Sequence, residues 1–183
     1  MFVQPTITHQ VARKTLEFRW WHRFRFRRRK TVDPTALPRL EIVYLPYYLF
    51  TIDAHYRDEV RQATATVEAH SGSFSLFDEK SYTITPNAEH PSFPPALPAE
   101  EAAEIARNGV AMALLRSRGK YRRSQVGRIQ KTDLLGYPFW VYYYERRRKR
   151  LDFKVLDAVT GRPPGTKVKP SLLAAFIAAR QKQ

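Results

Sequence analysis

The hydrophobic positions of the chain first follow a helical period and then an alternating one. Ala12, Leu16 and Trp20 recur every four residues, which predicts a helix from about residue 9 into the low twenties. Residues 41–52 are rich in aromatic and β-branched side chains and predict a strand, and residues 62–69 predict its antiparallel partner. The beginning of the chain therefore predicts the order helix, strand, strand.

Two details of this first unit leave alternatives open. From Phe18 onward, aromatic and basic residues also alternate, so the end of the helix is equally compatible with a strand. Pro46 lies inside the first predicted strand and, because proline has no N–H, it indicates an edge position or a bulge. Phe74, Leu76 and residues 82–84 are expected to extend the sheet.

The second half of the chain predicts the same order of elements. Prolines at 86, 91, 94, 95 and 98 predict a linker over residues 86–98. A helix begins at Pro98, a hairpin follows over 135–144 and 151–158, and Pro170 begins a short terminal helix. The side chains expected to be largely buried are Ile105, Val110, Leu114, Trp140 and Leu156.

Two short motifs occur twice in the chain with nearly constant spacing. Residues 45–50 resemble 137–142, with prolines 92 positions apart, and residues 67–72 resemble 156–161, with glycines 89 positions apart. This spacing predicts the duplication of one α-β-β unit of about 90 residues.

The predicted organisation follows from this duplication. The first α-β-β copy occupies residues 1–85, the proline-rich linker 86–98, and the second copy with its C-terminal helix 99–183. Hairpins that alternate with single helices predict an α+β fold, in which helices pack on one face of an antiparallel sheet.

The composition points to an anionic partner. The chain has 32 Lys and Arg against 17 Asp and Glu, a formal net charge of +15 and a pI near 10.3. Such a charge favours binding to nucleic acid or to an anionic membrane surface. The start of the chain has no signal-peptide pattern and no apolar run is long enough to span a bilayer, so we expect a cytoplasmic protein without a transmembrane segment.

Basic residues are concentrated in three stretches of the sequence. One interleaves arginines with Phe24 and Phe26, one follows the central helix, and one is the tip of the second hairpin. Guanidinium groups bind phosphates and aromatic rings stack on bases, although each stretch is also explained by a solvated face or loop. The predicted polyanion-binding residues are Arg25, Arg27, Arg28, Arg29, Lys30, Arg122, Arg123, Arg146, Arg147, Arg148, Lys149 and Arg150.

Other kinds of chemistry find little support in the sequence. There is no cysteine, so disulfides and Cys-based zinc sites are excluded. The five histidines include no pair at i, i+4, and the chain has neither a nucleophile elbow nor a phosphate-binding glycine loop. We therefore expect no catalytic residues, no metal, no cofactor and no enzymatic activity.

The turn Asp157-Ala158-Val159-Thr160-Gly161 ends a helix-plus-hairpin unit. It resembles the Asp-Ala-x-Thr-Gly turn that commonly follows the last strand of the PepSY module. Residues 68–72 are a weaker form of the same turn. The resemblance implies a helix packed on a hairpin and, by analogy with that family, a protein-interaction or inhibitory role. The sequence thus predicts a non-enzymatic binding protein for a polyanion, with nucleic acid favoured over a membrane surface, and a regulatory protein-interaction module as the alternative.

Overall fold

In the described part of the chain, three helices pack against a seven-stranded sheet, which confirms the predicted α+β class. The computed structural model describes residues 1–21, 37–56, 59–86, 93–116, 125–146 and 150–180. The helices are α1 (His9–Trp21), α2 (Ala99–Arg116) and α3 (Val168–Arg180), and a 3₁₀ turn covers Glu79–Ser81. The strands are β1 (Phe2–Val3), β2 (Arg39–Tyr56), β3 (Glu59–Glu68), β4 (Phe74–Leu76), β5 (Ile84–Thr85), β6 (Gln125–Arg146) and β7 (Arg150–Asp157).

Two long antiparallel strands, β2 and β6, form the centre of the sheet. The strand order is β4-β3-β2-β6-β1-β5, and β7 pairs with the C-terminal part of β6 beside β1. Every pair is antiparallel except β1 with β6, which meet in parallel at Phe2 and Gly136. The 18 residues of β2 give the sheet a length of roughly 55 Å.

Pro46 lies just beyond the residues of β2 that pair with β3, so the predicted edge position holds locally although β2 is central in the strand order. It pairs with Gly136 on β6, while its carbonyl accepts a hydrogen bond of 2.9 Å from Ala69 N–H. The nitrogen and carbonyl of one strand residue point to the same neighbour, so the missing N–H faces the end of β3 and costs β2 no bond to β6. Pro138 has the same arrangement, since its carbonyl accepts from Ala158 N–H at 3.2 Å.

The pairing of the central strands brings equivalent positions of the repeated motifs together. Leu45 and Tyr137, the first residues of the two copies of the first motif, lie opposite each other, and the register is constant from Arg39–Tyr143 to Thr51–Lys131. The hairpins also correspond, since Tyr47 pairs with Glu68 in the first and Phe139 pairs with Asp157 in the second. These registers agree with the spacing of the repeated motifs, although the duplication itself stays a prediction.

Each of the first two helices packs on the hairpin of the other half. α1 packs its Ala12 and Leu16 against β6 and β7, beneath Trp140 and Leu156. α2 packs a narrow, alanine-rich face against β2 and β3, with Val110 at its core. Strands from both predicted units thus form one sheet, and the two halves exchange their helices across it.

The third helix lies on the opposite face of the sheet from α1 and α2. Leu172 and Ala175 of α3 pack against odd-numbered residues of β2 and β6, whereas α1 and α2 cover even-numbered ones. Phe176 of α3 joins an aromatic cluster with Phe93 and Phe153, at ring-centroid distances of 5.3 and 5.8 Å. The expectation that helices pack on one face therefore describes α1 and α2, and α3 gives the sheet a second covered face.

Most of the expected core residues are buried. Val110, Trp140 and Leu156 are at most 8% exposed, whereas Ile105 and Leu114 are only partly buried at the margin of the α2 cluster. The expectation of large burial does not hold for these last two, because small residues, Ala102 and Ala106 among them, form the centre of the α2 face.

The first ten residues of β6 were not predicted as strand. Residues 125–134 are mostly polar, and the register between β2 and β6 shifts twice near Ile52. Such irregularities break the alternation of apolar and polar positions from which a strand is predicted. Among the described residues, no helix combines the length and the apolar character that a membrane span requires.

Candidate polyanion interface

Most of the predicted polyanion-binding residues lie outside the described residues. Arg146 is the last residue of β6 and Arg150 the first of β7, and the two pair in register; Arg150 is exposed. Those outside the described residues are Arg25, Arg27, Arg28, Arg29, Lys30, Arg122, Arg123, Arg147, Arg148 and Lys149.

The described elements fix where the basic stretches attach to the fold. α1 begins beside the turn that follows β7, where the N–H groups of Thr6 and Ile7 donate to the Ala158 carbonyl. From there it runs back along β7. Lys154 of β7 donates to the Leu16 carbonyl at 3.3 Å, so the helix ends near the start of β7. Segment 22–36 therefore begins at the end of the sheet where β6 passes into β7.

The same segment also ends there. β2 starts at Arg39, which pairs with Tyr143, three residues before Arg146. The attachment points of segment 22–36 and the hairpin tip 146–150 thus lie at one end of the sheet, named here the basic end. The two stretches contain eleven Lys or Arg and a single Asp.

The opposite end of the sheet has the corresponding architecture with less positive charge. α2 ends at Arg116, and β6 starts at Gln125 opposite His55, close to the tip of the first hairpin. The connecting segment 117–124 and the hairpin tip 57–61 together hold six Lys or Arg and two acids. At this tip Arg61 pairs with Glu59 at 2.9 Å.

The aromatic residues of β6 belong to the core. Trp140 and Tyr142 are buried beneath α1, while Phe139 and Tyr143 face the α3 side. Burial raises the pKa of Tyr142 to about 12, with the Glu17 charge acting in the same direction and Arg13 opposing it. These rings of β6 are therefore not exposed for stacking on bases.

Several carboxylates near the basic end are already bound to cations. Arg39 pairs with Glu41, and Arg13 pairs with Glu17 at 2.9 Å. Asp152 accepts a hydrogen bond of 2.7 Å from Lys169 Nζ. Burial alone would raise the pKa of Asp152, but the hydrogen bonds from Lys169, Phe153 N–H and the Tyr144 hydroxyl lower it. The acids Glu17, Glu41 and Asp152 are therefore each paired with a cation outside the hairpin tip.

Sequence reasoning did not identify a cavity of about 200 Å³ on the α3 side of the sheet. Tyr47, Tyr82, Tyr137 and Asp157 line it. The sequence contains one indication of this cavity. Tyr47, Tyr137 and Asp157 occupy alternate strand positions that lie on one face of the sheet once the strand register is known.

No group of three or more His, Asp or Glu suited to a metal ion occurs within the part of the chain that the structure describes. Comparison with protein families, with curated proteins and with solved structures finds no match to this chain.

Proposed function

We propose that this protein is a non-enzymatic, cytoplasmic binding protein whose basic end binds a polyanion, nucleic acid in preference to an anionic membrane surface. The observation that supports the proposal is the attachment of the two densest basic stretches to the same end of a rigid sheet. Two stretches with a common origin can neutralise adjacent phosphates on one strand or duplex. The third stretch, with Arg122 and Arg123, is a secondary contact at the opposite end.

The experiment is a salt titration of binding to a labelled duplex of about 20 base pairs, followed by fluorescence anisotropy. Each neutralised phosphate contributes about −0.9 to the slope of log K against log salt, so five contacts give about −4.5. Replacing all five residues of 146–150 by Ser should flatten this slope. The melting temperature should change little, because the replaced residues form a hairpin tip that contributes little packing.

A parallel titration with vesicles of phosphatidylcholine and phosphatidylserine compares the two kinds of anionic partner. Tighter binding to the duplex than to the vesicles at equal salt supports nucleic acid. The polyanion proposal fails if the intact protein binds neither at about 50 mM salt, where phosphate contacts are strong.

A second candidate is the protein-interaction module that the PepSY resemblance implies. The specific observation in its favour is β7, which pairs only with β6 among the described strands and leaves its other edge open. An extended peptide can add to such an edge through main-chain hydrogen bonds. A partner held at several hundred millimolar salt, and lost when Val155 is replaced by Pro, would favour this candidate over the polyanion.

A further inference from the structure

The cavity on the α3 side is built on a row of polar residues that crosses four strands. Glu68 of β3 lies opposite Tyr47 of β2, and Asp157 of β7 lies opposite Phe139, two residues from Tyr137 on β6. The rings of Tyr47 and Tyr137 are 5.8 Å apart. Two tyrosine hydroxyls therefore lie between two carboxylates on one face of the sheet.

Of these two carboxylates, Asp157 lines the cavity and retains acceptor capacity. Its Oδ1 accepts the N–H groups of Val159 and Thr160 at 2.8 and 2.9 Å. Its Oδ2 receives only the Tyr137 hydroxyl, at 3.1 Å, among the described residues. A carboxylate oxygen accepts two hydrogen bonds, so Oδ2 can take a further donor from inside the cavity.

Asp157 also has no ion pair with a described Lys or Arg, although the chain has a net charge of +15. Two other carboxylates of the sheet do have one: Asp133 pairs with Lys131 at 2.6 Å and Asp152 with Lys169 at 2.7 Å. The cavity thus holds a carboxylate whose charge the described part of the protein does not balance with a cation.

Aromatic rings form the walls around this carboxylate. Phe77 and Tyr82 stack with their centroids 4.6 Å apart, and Tyr82 meets Tyr137 edge-on at 6.2 Å. The faces of such rings carry partial negative charge and attract cations. Rings and carboxylate therefore favour the same sign of ligand.

The negative charges around the cavity also act on its tyrosines. Burial raises the pKa of Tyr47, and the charges of Glu68 and Asp157 raise it further. Burial and Asp157 likewise raise the pKa of Tyr137, and no described Lys or Arg opposes either shift. By contrast, Arg39 partly offsets the raised pKa of Tyr143, which bonds to Glu41 outside the cavity.

We propose that this cavity binds an organic cation, namely an ammonium or guanidinium group on an alkyl chain. The charged group contacts Asp157 Oδ2, and the rings of Tyr82 and Tyr137 surround its alkyl substituents. A volume of about 200 Å³ suits a single cationic head group and is below the usual size of a site for a drug-sized ligand. The cation is either a free amine or the side chain of a Lys or Arg on a peptide.

The test uses NMR titrations of the full chain with tyrosine rings labelled. Choline and butylguanidine provide the quaternary ammonium and the guanidinium, and 3,3-dimethylbutan-1-ol is the neutral equivalent of choline. We expect both cations to bind at least about tenfold more tightly than the alcohol, because the cation–ring and charge interactions are absent from the neutral compound. Blocked Gly-Lys-Gly and Gly-Arg-Gly peptides separate the two sources by comparison with the free amines.

Asp157→Asn keeps the Oδ1 acceptor for the turn and removes the charge, so we expect it to lower choline affinity at least about tenfold. Glu41→Gln is the matched control, since Glu41 also accepts a tyrosine hydroxyl but lies outside the cavity. Should Asp157→Asn fail to fold, Tyr82→Ser removes one wall at the end of an exposed 3₁₀ turn and should weaken binding instead. Equal affinity for choline and the alcohol, or unchanged affinity in the cavity variants, overturns the proposal.

Discussion

The turns that follow β3 and β7 have the same backbone conformation at their glycines, and they differ in the role of their carboxylate. Gly72 and Gly161 have φ values of 65° and 68°, and their N–H groups donate to the carbonyls of Glu68 and Asp157 at 2.9 and 3.0 Å. Each carboxylate also accepts two backbone N–H groups of its own turn. The two carboxylates differ in the further hydrogen bonds that their oxygens accept from the rest of the protein.

The position of α3 explains this difference. Ser171 of α3 donates to Glu68 Oε2 at 2.7 Å, and the Ser71 hydroxyl bonds to the same oxygen, so Glu68 is 2% exposed. Asp157 has no such cover and faces the cavity beside Tyr137. The same turn motif therefore anchors α3 through Glu68 in the first half of the sheet. In the second half its carboxylate, Asp157, stays accessible to a ligand.

The largest expected difference between the turns concerns the two carboxylates themselves. Glu68→Ala should lower the free energy of unfolding by about 3–5 kcal/mol, because it leaves the buried Ser171 hydroxyl and two part-buried backbone N–H groups without their acceptor. Asp157→Ala should cost about 1–2 kcal/mol, because water can reach the groups it leaves. Urea unfolding of both variants measures the difference, and equal losses would contradict the contrast.

A smaller effect, shared by both turns, is expected for the glycines. An alanine Cβ at position 72 would lie 3.0 Å from Ile105 Cδ1, and at position 161 it would lie 3.1 Å from Ile7 Cδ1. With the positive φ added, Gly72→Ala and Gly161→Ala should each cost about 1–2 kcal/mol. Thermal unfolding of the pair checks this; Gly165→Ala, with nothing within 4 Å of its Cβ, is the control and should change stability little.

The smallest effect is expected for the hydrogen bond of Tyr48. It is one of two bonds that join the residues just before α2 and α1 to the hairpin of the other half. Tyr48 OH donates to the Leu97 carbonyl and Trp140 Nε1 to the Ile7 carbonyl, both at 2.8 Å. Tyr48→Phe should cost about 1 kcal/mol, the usual net value of one hydrogen bond. Trp140→Phe should cost more, because it also removes buried ring volume. Denaturant titration that shows no loss for Tyr48→Phe would rule out this bond as a stabilising link.

The sequence predicted the elements of this fold better than their arrangement. Local periodicity identifies α2 and the two hairpins, because their side chains alternate or recur within a few residues. The exchange of helices depends on contacts between residues about 30 to 130 positions apart, such as Ala69 with Leu97 and Ile7 with Trp140, which no local pattern records. The same holds for the cavity, since Tyr137 becomes a neighbour of Tyr82 only after the sheet has formed.

The basic residues of the proposed interface could be predicted from the sequence, but the attachment of two basic stretches to one end of the sheet could not. The basic stretches around Arg27 and Arg148 are evident in the sequence, yet they are separated by about 120 positions. Only the pairing of Arg39 with Tyr143 and the direction of α1 bring their attachment points to one end. The two ends of the sheet therefore correspond in architecture and differ in charge.

The most direct test of this account measures binding of a duplex of about ten base pairs, which spans about 34 Å and cannot reach both ends of the sheet. Three variants are compared with the intact chain by anisotropy at about 50 mM salt. The first replaces Arg25, Arg27, Arg28 and Arg29 by Ser, the second replaces residues 146–150 by Ser, and the third replaces Arg122 and Arg123 by Ser.

Combining the first two variants should weaken binding at least about 100-fold, because each lost phosphate contact also loses its counterion release. The third variant should weaken binding less than about threefold, since it leaves the basic end intact. If the third variant loses as much affinity as the combined one, or if the combined variant binds as the intact chain does, the basic end is not the polyanion-binding surface.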